Sequence, residues 1–118
     1  MTMNLERFAG GEVCYLTTMG RISGRPHTIE IWFALNNQTL YMLSGGRERS
    51  DWVKNALHLP DVGIKIDVTV FDGKARLVTE PEEDRLARQL IARKYQKSEG
   101  HLEEWLRSAL PIAVDLVI

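Results

Sequence analysis

One stretch of strict alternation restricts the fold of this chain more than any other feature. Between residues 62 and 70, every second position is a branched apolar residue and the positions between are small, polar or charged. A period of two sends alternate side chains to opposite faces of a β-strand. The stretch therefore predicts a strand with one buried and one wet face. Asp72-Gly73 then predicts a two-residue hairpin turn, with a return strand over 74–78.

Shorter alternating or apolar segments predict four further strands. They cover residues 13–18, 28–35, 39–44 and 111–118. Because asparagine tolerates the left-handed region, the polar run 36–38 predicts a turn between the second and third of them. The last segment is apolar at every position except Asp115, which is typical of a strand buried on both faces or at an interface.

Helix signals interrupt these strands at two or three places. Ser50 and Asp51 are suited to the start of a short helix that Pro60 ends. A longer helix is predicted from Pro81 to Gly100, and Leu102, Trp105 and Leu106 indicate another helical turn. The acidic run Glu82, Glu83 and Asp84 occupies the positive end of the longer helix, so it needs no catalytic explanation.

These elements predict a mainly β fold with α insertions, formed by about six antiparallel strands and two or three packed helices. A length of 118 residues fits a single domain. The pattern favours a small β-barrel with helices packed on it, since long helices do not alternate regularly with strands.

Composition excludes several classes of function and location. The net charge is −1 and the pI about 6.3, which argues against a nucleic-acid-binding domain. Cys14 is the one cysteine, so an intrachain disulfide is excluded. We found no apolar run of membrane-spanning length and no signal-peptide pattern in residues 1–10. The chain is therefore predicted to be cytoplasmic.

The familiar catalytic and metal-binding motifs are missing from the sequence. It lacks a nucleophile elbow, a phosphate loop and a dinucleotide fingerprint. His27, His58 and His101 lie far apart, and none of the usual zinc spacings connects them with Cys14. We therefore interpret Cys14 as a small buried apolar side chain and predict no metal site.

Two segments combine arginine with glycine and indicate an anion site. The first carries Arg21, Ser23, Gly24 and Arg25; the second carries Ser44, Gly45, Gly46, Arg47 and Arg49, and precedes the helix with Trp52 and Asn55. Backbone N–H groups beside arginine side chains suit a phosphate. Together with the flat surfaces of Trp32 and Trp52, they suit a flavin-like nucleotide. The alternative is a pair of hairpin turns with solvated arginines and core tryptophans.

Four segments in register resemble a known family. Residues 17–28 with 31–33, then 40–46, 51–55 and 60–62, are similar to motifs of the flavin/deazaflavin oxidoreductases. These enzymes belong to the split β-barrel, or pyridoxamine-phosphate-oxidase-like, superfamily. The resemblance is closest to the deazaflavin-dependent nitroreductase or quinone reductase branch, and it extends from about residue 13 to residue 78.

The resemblance implies a six-stranded antiparallel split β-barrel that binds the deazaflavin coenzyme F-420, also written F420, or FMN. It implies hydride transfer to a small planar acceptor such as a quinone or nitroaromatic. A non-catalytic flavin- or tetrapyrrole-binding protein is the alternative, and no catalytic residue is singled out. The implied cofactor-binding residues are Arg21, Ser23, Arg25, Pro26, His27, Trp32, Ser44, Gly45, Gly46, Arg47, Arg49, Trp52 and Asn55.

A homodimer is also predicted. Many split-barrel flavoproteins pair through their barrels, and the apolar terminal segment 111–118 requires cover on both faces. Burial of this segment beneath the helix that starts at Pro81 is the alternative, and it requires no partner.

Overall fold

Seven strands form one curled antiparallel sheet, a half-barrel, in the computed structural model, which describes residues 5–99 and 101–118. The strands are β1 (Cys14–Met19), β2 (Pro26–Ile31), β3 (Ala34–Asn36), β4 (Thr39–Ser44), β5 (Asp61–Ile66), β6 (Thr69–Leu77) and β7 (Leu110–Val117). Their order across the sheet is β2-β1-β5-β6-β7-β4-β3. The antiparallel, mainly β prediction is confirmed.

Three helices are inserted between the strands. They are α1 (Asp51–His58), α2 (Pro81–Glu99) and α3 (Glu103–Ser108). Short 3-10 turns also occur at Glu6–Phe8 and Arg47–Arg49. The helix starts at Asp51 and Pro81 agree with the sequence prediction, whereas the predicted helix end at Gly100 lies outside the described residues.

The prediction of six strands is wrong because the predicted strand 28–35 is broken in two. The Phe33 N–H donates to the Tyr95 hydroxyl at 3.0 Å, and Lys94 Nζ donates to the Phe33 carbonyl at 2.9 Å. Side chains of α2 thus form hydrogen bonds with the Phe33 N–H and carbonyl groups, which a continuous strand would pair with a neighbouring strand. The chain changes partners at this point, so that β2 pairs with β1 and β3 pairs with β4.

The predicted hairpin turn is also misplaced. The strand predicted over 62–70 ends at Ile66, and the chain turns at 67–68, where Asp67 has a φ of 53°. Asp72-Gly73 lies inside β6 instead. A Cβ added at Gly73 would lie 2.4 Å from Val114 Cγ1 on β7. Close approach of β7, not a turn, therefore accounts for this glycine.

The apolar terminal segment is covered within the chain. It forms β7, which pairs with β6 along one edge and with β4 along the other. Ile112 and Val114 are fully buried in the main core, and Ala113 packs in a cluster with Ala87 of α2. Burial between the main core and α2 explains the apolar composition of residues 111–116 without a second copy, so these residues no longer support the predicted homodimer, whereas Val117 and Ile118 are exposed.

Cys14 occupies the concave face of β1 and is fully buried, as predicted. Burial raises the pKa of its thiol from 9.0 to about 12. The thiol therefore stays protonated at neutral pH and acts as an apolar core group.

An ionic network fastens α2 to the convex face of the sheet. Arg76 on β6 donates to both Glu83 carboxylate oxygens at 2.7 Å and, through Nε, to Asp115 at 2.7 Å. The Tyr41 hydroxyl also donates to Glu83 at 2.7 Å. Hydrogen bonding from the Arg76 guanidinium lowers the pKa of Glu83 from 4.5 to about 2 and also lowers the pKa of Asp115.

This network predicts a stability difference that depends on pH. A lowered carboxylate pKa stabilises the folded state above the ordinary value of 4.5, and this contribution is lost as the pH falls towards about 2. We expect Arg76→Met to lower the free energy of unfolding by about 2 kcal/mol at pH 6 and by clearly less at pH 3. Urea unfolding at both pH values measures the difference.

Lys74→Met is the matched control for that substitution. Lys74 lies on the same strand and forms its ion pair with Asp61 at an exposed position. Exposed pairs contribute little, so this variant should lose less than about 0.5 kcal/mol at either pH. Equal losses in the two variants would contradict a special contribution from Arg76.

Candidate functional site

A cleft of about 340 Å³ opens at the end of the concave face of the sheet. It lies between the loop that follows β1, the start of β2, and α1. Its lining comprises Thr18, Gly20, Arg21, Ile22, Ser23, His27, Ile29, Asp51, Trp52 and Asn55. Thr18 and His27 are cross-strand partners on β1 and β2. Leu16 and Ile29 form the next pair on the same face, two residues further along each strand. The cleft therefore begins where the apolar core gives way to polar side chains.

The loop between β1 and β2 is closed by its own backbone. The Gly20 N–H donates to the Arg25 carbonyl at 2.8 Å, and the Gly24 N–H donates to the Gly20 carbonyl at 2.9 Å. Gly24 has a φ of 71°, a conformation in which a side chain would be strained. The local sequence thus forms a defined turn that directs Arg21 towards α1.

Arg21 is fixed against α1 by three hydrogen bonds. Its backbone N–H and Nη1 donate to Asn55 Oδ1 at 3.1 and 2.8 Å, and its Nη2 donates to Asp51 Oδ1 at 3.2 Å. The side chain of Arg21 is one-quarter exposed, whereas that of Asp51 is 84% exposed. The guanidinium is therefore held in place while part of it stays accessible from the cleft.

Asn55 is the most deeply buried polar group of α1, with 5% of its surface exposed. Because two donors of Arg21 converge on its oxygen, the orientation of the amide is determined. Among the described residues, the Nδ2 group of Asn55 has no hydrogen-bond partner, and this nitrogen is accessible to solvent. Asn55 therefore offers an uncommitted N–H donor to the cleft.

Ser23 and His27 form a second polar pair in the cleft. Ser23 Oγ lies 3.0 Å from His27 Nε2, and it accepts the Arg25 N–H at 3.2 Å. A Cβ added at Gly20 would lie 2.4 Å from Ser23 Oγ and 2.6 Å from His27 Nε2. Glycine at position 20 therefore leaves room for this pair against the backbone.

The second predicted segment, 44–49, lies outside the cleft lining. Ser44 Oγ donates to the Arg47 carbonyl at 3.0 Å and lies 2.9 Å from Ser50 Oγ, while Arg47 has a φ of 54°. The Arg47 guanidinium donates to the Ser108 carbonyl at the end of α3. Gly45 lies against the indole of Trp105. A Cβ added at Gly45 would lie 3.4 Å from the indole ring.

The predicted cofactor-binding residues are thus divided between two places. The cleft brings together Arg21, Ser23, His27, Trp52 and Asn55. Outside its lining lie Arg25, Pro26, Trp32, Ser44, Gly45, Gly46, Arg47 and Arg49. Trp32 stacks on Tyr95 at 4.4 Å between ring centroids, with an interplanar angle of 2°, and packs edge-on against Trp105.

Sequence reasoning missed five residues of the lining as site residues. They are Thr18, Gly20, Ile22, Ile29 and Asp51. Thr18 and Ile29 could have been found from strand alternation, since they share the inward face with Leu16 and His27. The position of Asp51 at the start of a helix explains its charge in the sequence, and no local pattern indicates its pairing with Arg21.

Two further features are absent from the part of the chain that the structure describes. No group of three or more His, Cys, Asp or Glu side chains there is arranged to hold a metal ion. Nor does any helix among those residues combine the length and the apolar character that a membrane crossing requires.

Comparison with known families gives one match across almost the whole chain. The family described as F420H2-dependent quinone reductase matches residues 3–116. Comparison with curated proteins gave no significant match.

Several solved structures have a similar fold. A putative 5-nitroimidazole antibiotic resistance protein from Bacteroides thetaiotaomicron is 16% identical, with a TM-score of 0.74 over 100% of this chain and 83% of that one. An F420-H2-dependent reductase is 20% identical, with a TM-score of 0.70 over 87% of this chain and 93% of that one. A protein described as a domain-swapped dimer is 22% identical, with a TM-score of 0.70 over 87% and 79% of the two chains.

Proposed function

The chain belongs to the F420H2-dependent quinone reductase family, and from this premise we propose that the cleft beside α1 holds reduced coenzyme F420 for hydride transfer to a small planar acceptor. Membership of the family makes the protein an F420-dependent oxidoreductase and does not support FMN as its cofactor. Among acceptors we propose a quinone or a nitroaromatic, the classes that the motif resemblance implies.

One observation carries the assignment of the cleft: fixed donors and a flat apolar wall face the same space. Arg21 and the free Nδ2 of Asn55 supply N–H groups suited to phosphate oxygens. Trp52 and Ile29 supply apolar surface suited to a ring system. The volume of about 340 Å³ falls within the usual range for ligand clefts. These residues therefore fit the ring and phosphate parts of a deazaflavin nucleotide.

When bound, the cofactor supplies the hydride, and the protein supplies binding, orientation and electrostatics. Arg21 is held by Asn55 and Asp51 and would present a fixed positive charge to the phosphate side. Trp52, half-buried at the start of α1, would cover one side of the ring and exclude water. The segment 44–49 is a further proposed contact for the phosphate side, since it leads directly into the N-terminus of α1.

A side-by-side titration tests the cofactor assignment. F420 and FMN are added separately to the protein, and tryptophan quenching and ligand fluorescence report the two dissociation constants. We expect F420 to bind at least about tenfold more tightly, a difference of about 1.4 kcal/mol. Equal affinities, or tighter binding of FMN, would contradict the proposal.

Turnover distinguishes an enzyme from a binding protein and also tests the acceptor. Reduced F420 is mixed with the protein and either a soluble quinone or a nitroaromatic, and reoxidation is followed by the return of F420 absorbance. We expect protein-dependent oxidation with one or both acceptors. Tight binding of F420 without oxidation by either acceptor would contradict the proposed acceptor classes.

Trp52→Ala is predicted to affect cofactor binding more than folding. Trp52 lines the cleft and is partly buried, whereas its neighbour Val53 is fully buried in the core. We expect Trp52→Ala to weaken F420 binding about tenfold or more while lowering the melting temperature less than Val53→Ala does. Val53→Ala should lower the melting temperature more, and weaken F420 binding less, than Trp52→Ala does. If Trp52→Ala unfolds the protein, its ring is a core group and the proposed role is wrong.

A homodimer stays part of the proposal on the strength of one comparison. The solved structure described as a domain-swapped dimer shares this fold at a TM-score of 0.70. Sedimentation equilibrium with and without F420 tests it. A single species near the monomer mass of 13.5 kDa in both conditions would exclude the dimer.

A further inference from the structure

Part of the convex face of the sheet carries no helix. On β7, β4 and β3, Ala113 and Leu43 pack with side chains of α2. The convex side of β2, β1, β5 and β6, here called the open face, is exposed or half-buried throughout the described residues. It includes Tyr15, which is 40% exposed, and Val70, which is 66% exposed. An antiparallel sheet tolerates one face in water, but these side chains leave apolar surface that a partner would cover.

One row of side chains across the open face is even in spacing and opposite in charge at its two sides. Tyr15 on β1 is the register partner of Glu30 on β2 and of Lys65 on β5. Neighbouring strands lie about 4.8 Å apart, so Glu30 and Lys65 stand about 10 Å from each other, on either side of Tyr15. Glu30 accepts the Tyr15 hydroxyl at 3.2 Å, and Lys65 forms no hydrogen bond or ion pair within the described chain. The two charges therefore do not neutralise each other within one copy.

We propose that two copies of this chain pair through the open face, about a two-fold axis that runs along β1. This rotation exchanges the two sides of Tyr15. It brings Glu30 of each copy over Lys65 of the other, and Tyr15 over its own counterpart. One row thus supplies two ion pairs around an aromatic contact. The interface rests on the homodimer of the proposed function, to which it adds the surface and the contacts.

The next row of the open face permits close approach of the two sheets. It consists of Thr28, Thr17 and Gly63, which are register partners on β2, β1 and β5. These side chains are small and uncharged, and the Thr17 and Thr28 hydroxyl oxygens lie 2.7 Å apart. Sheets packed face to face with their strands nearly aligned stand about 10 Å apart. Packing of this kind therefore leaves no unpaired charge from this row between the sheets.

The charges favour this axis over its neighbours. An axis along β5 would place Lys65 directly over Lys65 of the other copy, and like charges in such a position oppose association. An axis midway between β1 and β5 would place Glu30 over Val70 and leave the carboxylate without a cation. With the axis along β1, Val70 lies one strand beyond Lys65 and borders the edge strand β2 of the other copy.

The size of the open face predicts a weak dimer. Four strands of about six residues cover roughly 20 Å by 20 Å, or about 400 Å² per copy. A standard stable interface buries about 800 Å² per partner. We therefore expect a dissociation constant in the micromolar range or above, which requires measurements between about 5 and 500 µM.

Sedimentation equilibrium of charge-reversed variants tests the pairing. Lys65→Glu and Glu30→Lys each place like charges opposite each other twice, so each should raise the dissociation constant about tenfold or more. The double variant reverses both charges and should return to within about threefold of wild type. Lys54→Glu is the matched control, since it makes the same charge change at an exposed position of α1 and should behave as wild type. Circular dichroism should show wild-type secondary structure in all four variants.

Cross-linking tests the position of the axis. Tyr15→Cys places one accessible thiol of each copy beside the axis, so a short bis-maleimide should join the two copies. Lys54→Cys should give no cross-linked dimer. The wild-type protein should give none either, because Cys14 is fully buried.

The outcomes separate this interface from the rest of the proposed function. A wild-type dimer that Lys65→Glu leaves unchanged, or that the double variant does not restore, overturns the interface and leaves the homodimer intact. A wild-type protein that stays monomeric at about 500 µM overturns both. The cleft lies at the concave side of the sheet, and its assignment depends on the F420 titration alone.

Discussion

Gly73→Ala is expected to lower the free energy of unfolding by about 3 kcal/mol, the upper part of the range for overpacking a core. The added methyl group would lie 2.4 Å from Val114 Cγ1 and 3.2 Å from the Asp115 carbonyl oxygen. Val114 is fully buried on β7, a strand paired along both edges. Neither neighbour can withdraw without moving the centre of the sheet. Urea unfolding of the variant and wild type measures the loss.

Gly63→Ala is the matched control, since Gly63 lies opposite Asp72 on the neighbouring strand β5. Its added Cβ would lie 3.8 Å from Thr17 Cβ, an ordinary contact. We expect no loss, or a gain of up to about 0.5 kcal/mol from the reduced freedom of the unfolded chain. Adding Val114→Ala should relieve part of the cost in Gly73→Ala, because the clashing methyl is removed. Equal stabilities of the two glycine variants would contradict the proposed clash.

Gly73 shows which parts of the fold the sequence could predict and which parts it could not. The alternation in 62–66 follows from local geometry and predicted β5 correctly. Asp72-Gly73 has the composition of a hairpin turn, but its glycine is required by Val114, more than 40 residues away in the chain. The break between β2 and β3 has the same kind of origin, since Lys94 and Tyr95 reach back to Phe33. Contacts of this length leave no local signal.

The candidate site shows a similar division. Arg21, Trp52 and Asn55 were predicted from residue type and motif resemblance, and the fold brings all three to one cleft. The segment 44–49 was predicted from composition and, over 44–46, from motif resemblance as well; the structure places it outside the cleft lining, with the Arg47 guanidinium on the end of α3. Composition indicates which groups could bind a phosphate, whereas the tertiary partners of those groups decide which are available.

Asn55→Asp is expected to weaken F420 binding by about 100-fold or more while leaving the fold intact. Aspartate has nearly the same shape and keeps an oxygen to accept the Arg21 N–H and Nη1 donors, which lie 3.1 and 2.8 Å from the present amide oxygen. The Nδ2 donor that faces the cleft is replaced by a negatively charged oxygen. A hydrogen bond to a charged group contributes about 1.5–3 kcal/mol, and repulsion of a phosphate adds to this loss. Fluorescence titration and thermal unfolding measure the two effects.

Asp51→Asn is the matched control, because it makes the reverse change on the same helix. Asp51 is exposed and pairs with Arg21, so the loss of its charge should leave F420 binding within about threefold of wild type or tighten it slightly. Added salt further separates the two contributions in Asn55→Asp. Screening reduces the repulsion but does not restore the missing donor, so part of the affinity loss should persist at high salt. Asn55→Asp with wild-type affinity and stability would show that the Asn55 amide does not contact the cofactor.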